Sequence, residues 1–160
     1  MDICQLSNSF TVRKLDTNDV DEIYELMRKN TLYYRYHPPF VTKQSIVDDM
    51  KALPPQKNYD DKYFVGFFDD TQIVAVMDLV LDYPSEHTAF IGFFMVDKTQ
   101  QGKGIGTKII KAISKYLKTN EFRFIRLGVD RGNPQSNSFW TKNNFRKIAE
   151  NDYIIMELTL

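Results

Sequence analysis

The sequence predicts one α/β (α+β) domain over residues 1–160, and three observations lead to this fold class. Apolar and alternating segments typical of strands are interleaved with segments whose apolar residues follow helical spacing. No repeat, linker or low-complexity tract interrupts this order. The chain, with 42% hydrophobic residues, is also long enough to bury one well-packed core. Together these features favour a mixed sheet with helices packed against it.

The first half of the chain predicts a strand, two helices and a hairpin. The strand covers Phe10–Leu15, and Thr17 can cap the helix that follows it. A second helix is expected after the Thr42 cap and before Pro54. Between the helices, residues 31–40 (TLYYRYHPPF) are expected to form an aromatic loop, which either packs on the core or forms a wall over a substrate site. The runs YFVGFF and TQIVAVMDLVLDY predict the hairpin.

The second half of the chain contains the predicted central strand. Thr88–Val96 is apolar on both faces, as expected of a strand in the middle of a sheet. A glycine-rich turn and a helix that includes Ile105 follow it, and FIRLGVD predicts another strand. A short helix is expected to begin near Pro134, because proline is favourable in a first helical turn. The last two segments, RKIAEND and YIIMELTL, predict an antiparallel pair.

Composition argues against several classes of protein. Lys plus Arg equals Asp plus Glu at 21 each, and the basic residues are scattered, so no nucleic-acid partner is expected. No apolar run approaches the roughly 20 residues of a membrane span, and the N-terminus lacks the pattern of a secretion signal. Cys4 is the single cysteine, which fits a reducing compartment, so we expect a cytoplasmic protein. No Cys, His and carboxylate cluster has ligand spacing, so no metal is expected.

The most informative stretch is QGKGIGT, residues 101–107, which follows the central strand. Its glycine spacing matches neither a Walker A loop nor a dinucleotide-binding fingerprint. Glycines nevertheless let a backbone approach a ligand closely, and the N–H groups at the start of a helix converge on phosphate. The stretch therefore predicts a diphosphate-binding loop, to which Lys103 or Lys108 could add charge.

Gln101-Gly102-Lys103-Gly104-Ile105-Gly106 resembles the Q/R-x-x-G-x-G/A signature of the GCN5-related N-acetyltransferases (GNAT). About thirty residues further on, Asn133, Ser136, the pair Phe139-Trp140 and the segment TKNNF resemble a second region of that family. With the order of elements, the resemblance covers nearly the whole chain. It implies a mixed, twisted sheet of six to seven strands flanked by about four helices, with splayed central parallel strands between which acetyl-CoA enters.

The resemblance implies an N-acetyltransferase that moves the acetyl group of acetyl-CoA directly to a primary amine of a small molecule or a protein. A domain of the same fold that senses acyl-CoA or docks a partner, without turnover, is the alternative. Relatives are often homodimers. Asn133 would hydrogen-bond the pantetheine arm of the cofactor. The implied cofactor-binding residues lie on the central strand, the glycine loop and the short helix: Phe94, Met95, Val96, Gln101, Gly102, Lys103, Gly104, Ile105, Gly106, Thr107, Asn133, Ser136, Phe139 and Trp140.

The catalytic residues are harder to assign. The positions at which the family usually carries an acid or base hold Phe90, Gly128 and Trp140, and none of these can transfer a proton near neutral pH. Glu86, just before the central strand, is the preferred substitute, as a base that acts through water. Asp78 is a second carboxylate, inside an otherwise apolar strand where burial could raise its pKa. Each could equally be a structural residue.

Overall fold

One seven-stranded sheet runs through the computed structural model, which describes residues 1–160. Its strands are β1 (Thr11–Lys14), β2 (Lys62–Asp69), β3 (Gln72–Val80), β4 (Thr88–Val96), β5 (Phe124–Asp130), β6 (Arg146–Glu150) and β7 (Tyr153–Thr159). Its helices are α1 (Val20–Met27), α2 (Thr31–Tyr36), α3 (Lys43–Lys51), α4 (Ile105–Thr119) and α5 (Pro134–Lys142). The predicted sheet is confirmed, and five helices accompany it where about four were expected.

The strands are ordered β1-β2-β3-β4-β5-β7-β6, and β4 and β5 are the parallel pair. Their ladder is short, because it joins Thr88–Ile91 only to Phe124–Leu127. Beyond it, β4 continues to Val96 and β5 to Asp130 with no pairing between them. The central parallel strands therefore splay apart as predicted. We call the space between their unpaired ends the opening.

A hydrophobic cluster covers each face of the sheet. On one face, α4 packs Ile109, Ile113 and Leu117 against the strands. On the other face, α1 and α3 bury Ile23 and Ile46. Each such aliphatic side chain contributes about 1.5–3 kcal/mol when it is fully buried. Because both faces are covered, the central strands are apolar on both sides instead of alternating.

Two local predictions for the first half differ from the structure. Asp16, not Thr17, accepts a hydrogen bond from Asn18 N and caps the turn that precedes α1. Residues 31–36, expected within an aromatic loop, form α2. Tyr34 of this helix is buried in the core. Aromatic residues are modest helix formers, so packing against the rest of the domain, and not propensity, holds this short helix.

The last two segments pair in an antiparallel manner as predicted, with Arg146–Glu150 beside Tyr153–Thr159. Helix α5 begins at Pro134, also as predicted. None of the helices combines the length and apolarity that a bilayer span requires.

Candidate active site

A groove of about 250 Å³, partly open to solvent, follows the unpaired end of β4. Its walls come from β4, the glycine loop, the start of α4 and one face of α5. All the residues that the sequence assigns to cofactor binding line this groove except Lys103 and Asn133. The structure therefore brings the central strand, the loop and the short helix together around one concave surface.

The free edge of β4 borders the groove. Asp97 N donates a hydrogen bond to Val74 O on β3 at 2.8 Å, so the backbone N–H and C=O groups of Asp97 point toward β3. Successive residues of a strand direct these groups to opposite edges, so the N–H groups of Phe94 and Val96 point to the edge that β5 has left. On this edge, Val96 O accepts a hydrogen bond from Gln101 Nε2 at 3.0 Å. The free N–H groups can pair with an extended, amide-bearing ligand.

Two glycines give the loop an open backbone. Gly102 and Gly104 have φ values of 77° and 80°, in the left-handed region that favours glycine. A Cβ atom at either position would meet no protein atom within 4 Å. Gly104 is also the N-cap of α4, whose first N–H groups, from Ile105 to Thr107, have no partner inside the helix. Free donors, open space and the positive end of the helix dipole suit an anion such as diphosphate.

The third glycine has a packing role. A Cβ atom at Gly106 would lie 2.9 Å from Phe139 Cε2 and 3.4 Å from Val96 Cγ2. Its absence lets the first turn of α4 lie directly against α5 and β4. The groove is narrow at this point because no side chain separates the three elements.

Gln101 ties the loop to the rest of the domain. Its Nε2 donates to Asn30 Oδ1 at 2.6 Å and to Val96 O, and its Oε1 accepts from Gln135 Nε2 at 3.0 Å. Asn30 in turn donates to Leu26 O at 3.1 Å. These bonds join the loop to the α1–α2 junction, to β4 and to α5. Gln101 therefore holds the loop in place instead of projecting freely into the groove.

Asp97 shapes the chain between β4 and the glycines. Its Oδ1 accepts hydrogen bonds from the N and Oγ1 of Thr99, and its Oδ2 lies 3.4 Å from Lys29 Nζ. Burial alone would raise the pKa of Asp97, but the Thr99 hydrogen bonds and the Lys29 ammonium outweigh burial and lower it. The carboxylate is thus charged at neutral pH and fixes the start of the loop.

An aromatic wall closes the side of the groove formed by β4 and α5. Phe94 lies 6.0 Å from Phe139 and 5.9 Å from Trp140 between ring centroids, and Trp140 packs edge to face on Phe145 at 4.9 Å. Trp140 is 7% exposed and belongs to the hydrophobic core. Such a wall suits an aliphatic chain, and Trp140 contributes packing there.

Asn133 and Lys103 do not line the groove. Asn133 is 1% exposed, and its Oδ1 accepts a hydrogen bond from Ser136 N, so it acts as the N-cap of α5. The expected contact between Asn133 and the pantetheine arm stays a prediction, for which the Nδ2 group and not the capping Oδ1 would be the donor. Lys103 is exposed, and its Nζ donates to Gln100 Oε1 at 3.2 Å.

The position of Glu86 does not support its predicted role as a base. Glu86 is exposed and precedes β4, whereas the groove follows the other end of that strand, at Phe94–Val96. An extended strand rises about 3.3 Å per residue, so roughly 13 Å of β4 separates Thr88 from Gly92, where the opening begins, and Glu86 precedes Thr88 by two residues. Proximity to the central strand in sequence was misleading, because a strand carries its two ends far apart.

Sequence reasoning also missed part of the groove. The missed lining residues come from the α1–α2 junction, from α2, from the turn before the glycines and from α5: Asn30, Tyr33, Gln100, Gln135 and Lys142. Gln135 and Lys142 lie four residues before and three after Phe139, so helical spacing would have placed them on the same face. Asn30 and Tyr33 carry no comparable signal, because their approach depends on tertiary packing.

Side chains from α2, β5 and β7 meet at the mouth of the opening. His37 Nδ1 lies 3.0 Å from Asp130 Oδ1, and the His37 ring packs against Tyr33 and Tyr153. Tyr33 also contacts Phe93 of β4 edge to face, at 5.8 Å. Burial, and then the Asp130 carboxylate, raise the pKa of Tyr33, which stays protonated near neutral pH. We call this surface the acceptor side.

Comparison with known proteins bears on most of the chain. The model of the acetyltransferase (GNAT) family matches residues 20–145. The chain belongs to the GNAT family. A search of curated protein sequences finds no match to this GNAT protein. The structure of this protein contains no group of three or more His, Cys, Asp and Glu side chains arranged to hold a metal ion.

Solved structures of other acetyltransferases superpose on this GNAT protein over nearly their full length. An acetyltransferase from Thermus thermophilus is 17% identical, with a TM-score of 0.82 and coverage of 95% of this chain and 97% of that one. The PaiA N-acetyltransferase from Thermoplasma acidophilum, in complex with coenzyme A, is 21% identical, with a TM-score of 0.71 and coverage of 95% and 99%. A ribosomal-protein-alanine N-acetyltransferase from Brucella melitensis is 15% identical, with a TM-score of 0.65 and coverage of 93% and 99%. At these identities the likeness establishes the fold, and the predicted GNAT fold is confirmed.

Proposed function

We propose that this GNAT protein transfers the acetyl group of acetyl-CoA to a primary amine, by direct attack of the amine in the opening between β4 and β5. One observation carries the proposal: a diphosphate-type loop and an unpaired strand edge border the same groove, and that groove follows the strand to the opening. A long ligand with phosphates at one end and amides along its length fits this arrangement. Acetyl-CoA has this chemistry.

In the proposed complex, the diphosphate lies over Gly102 and Gly104 and accepts hydrogen bonds from the first N–H groups of α4. The pantetheine arm extends along β4, where Val96 N is available to one of its amide oxygens. Phe139 and Trp140 pack against its aliphatic parts. The thioester then lies at the opening, where β4 and β5 diverge.

The reaction needs no covalent enzyme intermediate. An amine that arrives as an ammonium ion first loses one proton, and its lone pair attacks the thioester carbonyl carbon. The C–N bond forms, the C–S bond breaks, and the departing thiolate takes up the second proton that the nitrogen releases. The products are an amide and free CoA. Of the two free N–H groups of β4, that of Phe94 lies nearer the opening and could stabilise the developing oxyanion, which leaves Val96 N to the pantetheine arm.

The relatives are consistent with this chemistry. One solved neighbour holds coenzyme A, and another is an N-acetyltransferase of a ribosomal-protein alanine. The aromatic residues of the acceptor side suit an amine that carries an apolar or ring-bearing body. We further expect a cytoplasmic protein, and the family resemblance makes a homodimer the assembly to test by light scattering.

Two measurements test the proposal. Acetyl-CoA should raise the melting temperature of the protein, because a ligand that binds only the folded state stabilises it. Acetyl-CoA should also release free thiol in the presence of tyramine, spermidine or a peptide with an N-terminal alanine. A thermal shift without thiol release from any of the three would point instead to an acyl-CoA sensor, an alternative that no contact in the structure favours.

A further inference from the structure

A carboxylate from β3 lies beside the opening. Asp78 interrupts the otherwise apolar β3, and it pairs in register with Phe93 of β4. The next pair along the ladder joins Leu79 to Ile91, so Gly92 forms a bulge with no partner of its own. Because the ladder between β4 and β5 ends at Ile91, Gly92 is also the first residue of β4 in the opening.

The bulge lets the Asp78 side chain lie against β4 at Gly92. A Cβ atom at Gly92 would lie 2.9 Å from Asp78 Oδ2. The carboxylate therefore occupies the space that a side chain at position 92 would need. Its Oδ2 lies beside Gly92 of β4, at the edge of the opening. A glycine at this position is required for that approach.

The two oxygens of Asp78 differ. Oδ2 accepts a hydrogen bond from Lys62 Nζ at 2.6 Å, and the Lys62 side chain is only 4% exposed. Oδ1 is buried and has no hydrogen-bond partner in the protein. A buried carboxylate oxygen without a donor is unusual, because each such group normally finds one. A ligand N–H or a water would supply the missing donor.

The charges around Asp78 come from two elements. Lys62 approaches from β2, and Asp49 faces it from α3, whereas β4 presents only Gly92 and Phe93, which do not titrate. Burial is the largest influence and raises the pKa of Asp78, Lys62 opposes it, and Asp49 adds a smaller increase. The net direction is upward, which brings the carboxylate closer to the range in which a general base is effective.

Accepting the proposed acetyl transfer as its premise, we propose that Asp78 is the general base of this protein. It takes up the first proton of the acceptor nitrogen through one bridging water, for which the carboxylate oxygen without a donor is the acceptor. The lone pair freed by this step forms the C–N bond, and the second proton of the nitrogen goes to the departing CoA thiolate. Lys62 is a positioning residue, because it holds Oδ2 against Gly92 and leaves Oδ1 as the oxygen without a donor. Asp78 thus supplies, from β3, a proton acceptor beside the first residue of β4 in the opening.

Asp78→Asn tests the proposal, with tyramine, spermidine and a peptide with an N-terminal alanine as acceptors and acetyl-CoA as donor. General base catalysis contributes about 10²–10⁴-fold, so kcat/KM for the best of these amines should fall at least about 100-fold. The thermal shift induced by CoA should be unchanged. The acid limb of the wild-type pH profile, where Asp78 becomes protonated, should disappear, leaving only the titration of the amine itself. Asp69→Asn is the matched control, at an exposed end of the same hairpin, and should stay within twofold of wild type.

Asp78→Asn leaves Lys62 buried without a counter-charge and could prevent folding. In that case Gly92→Ala is the deciding variant, because it keeps the charges of Asp78 and Lys62. Its methyl group would lie 2.9 Å from Asp78 Oδ2 and would therefore displace the carboxylate. A fall of about tenfold or more in kcat/KM, with the CoA shift retained, supports the proposal. If Asp78→Asn folds and keeps wild-type activity and the wild-type pH profile, the assignment of Asp78 is overturned. If Asp78→Asn does not fold, the same result in Gly92→Ala overturns it. Either result leaves the acetyltransferase proposal intact. A wild-type protein that binds CoA but acetylates none of the three amines overturns both.

Discussion

The groove and the acceptor side are built from different parts of the chain. The groove depends on backbone: two left-handed glycines, the first N–H groups of α4 and the free edge of β4. The acceptor side depends on side chains from separate segments, such as His37 just after α2 and Asp130 on β5. The backbone groups proposed to bind a shared coenzyme lie within one short segment, residues 94–107. A side-chain site for a particular acceptor has to be assembled by the fold.

The substitution with the largest expected effect disrupts the groove and leaves the acceptor side unchanged. In Gly104→Trp, the indole would fill the space beside the loop, and a non-glycine residue would be strained at a φ of 80°. We expect CoA affinity to fall at least about 100-fold, or about 2.7 kcal/mol. Isothermal titration calorimetry with CoA checks this. Lys118→Trp, in the last turn of α4, is the control and should bind normally. Unchanged affinity in Gly104→Trp would place the diphosphate elsewhere.

A smaller effect is expected where side chains support the backbone site. Gln101→Ala removes the bonds to Asn30, Val96 and Gln135 while leaving the glycines intact. Each lost hydrogen bond contributes about 0.5–1.5 kcal/mol, and part of that loss should appear as loop disorder. We predict roughly tenfold weaker CoA binding in calorimetry. Gln44 is an exposed residue of α3, so Gln44→Ala should leave CoA binding unchanged and serves as the control. If Gln101→Ala and Gln44→Ala bind CoA with equal affinity, the loop keeps its shape without the hydrogen bonds of Gln101.

Asp97 gives a prediction with a pH dependence. Its pKa is lowered in the folded protein, so it stabilises the fold above its ordinary value near 3.8, and this contribution is lost as pH falls through the lower folded value. Asp97→Ala also removes the cap of the turn before the glycines, at a cost of about 1 kcal/mol. Urea unfolding at pH 7 should show this loss, and the difference from wild type should shrink in acid. A difference independent of pH would assign the effect to packing alone.

The smallest effect is expected outside both regions. Glu86→Gln changes an exposed side chain at the far end of β4. We predict kcat/KM within twofold of wild type and the same pH profile, measured by thiol release. A strong loss of activity, with a shifted acid limb, would return the base to Glu86 and count against Asp78.

The sequence predicted most where the determinants are local. The bounds of β4 and β5 and the start of α5 follow from apolar runs and from Pro134. The glycine loop follows from residue spacing. Helix α2 was missed, because its tyrosines are held by contacts with distant residues such as Phe93. The bond from Gln101 to Asn30 spans 71 positions and leaves no pattern in either segment.

The acceptor side was the hardest part to predict for the same reason. Asp78 stood out in the sequence as a carboxylate in an apolar strand. Its contact with β4, however, depends on the bulge at Gly92, and nothing near Asp78 in the chain indicates that bulge. Glu86 is close to β4 in sequence and distant from the groove in space. Asn133, expected to contact the pantetheine arm, lies buried as the cap of α5.

The three bonds of Gln101 have a consequence for how the coenzyme site arises. The glycines allow the loop its shape, but partners contributed by three other elements select that shape from the many that glycines permit. An excised peptide covering residues 96–117 would carry the whole signature and still lack the α1–α2 junction and α5. Such a peptide should be unstructured in its first half and should not retain CoA. Motif and site are therefore separable: the motif belongs to a short segment, whereas the site belongs to the folded domain.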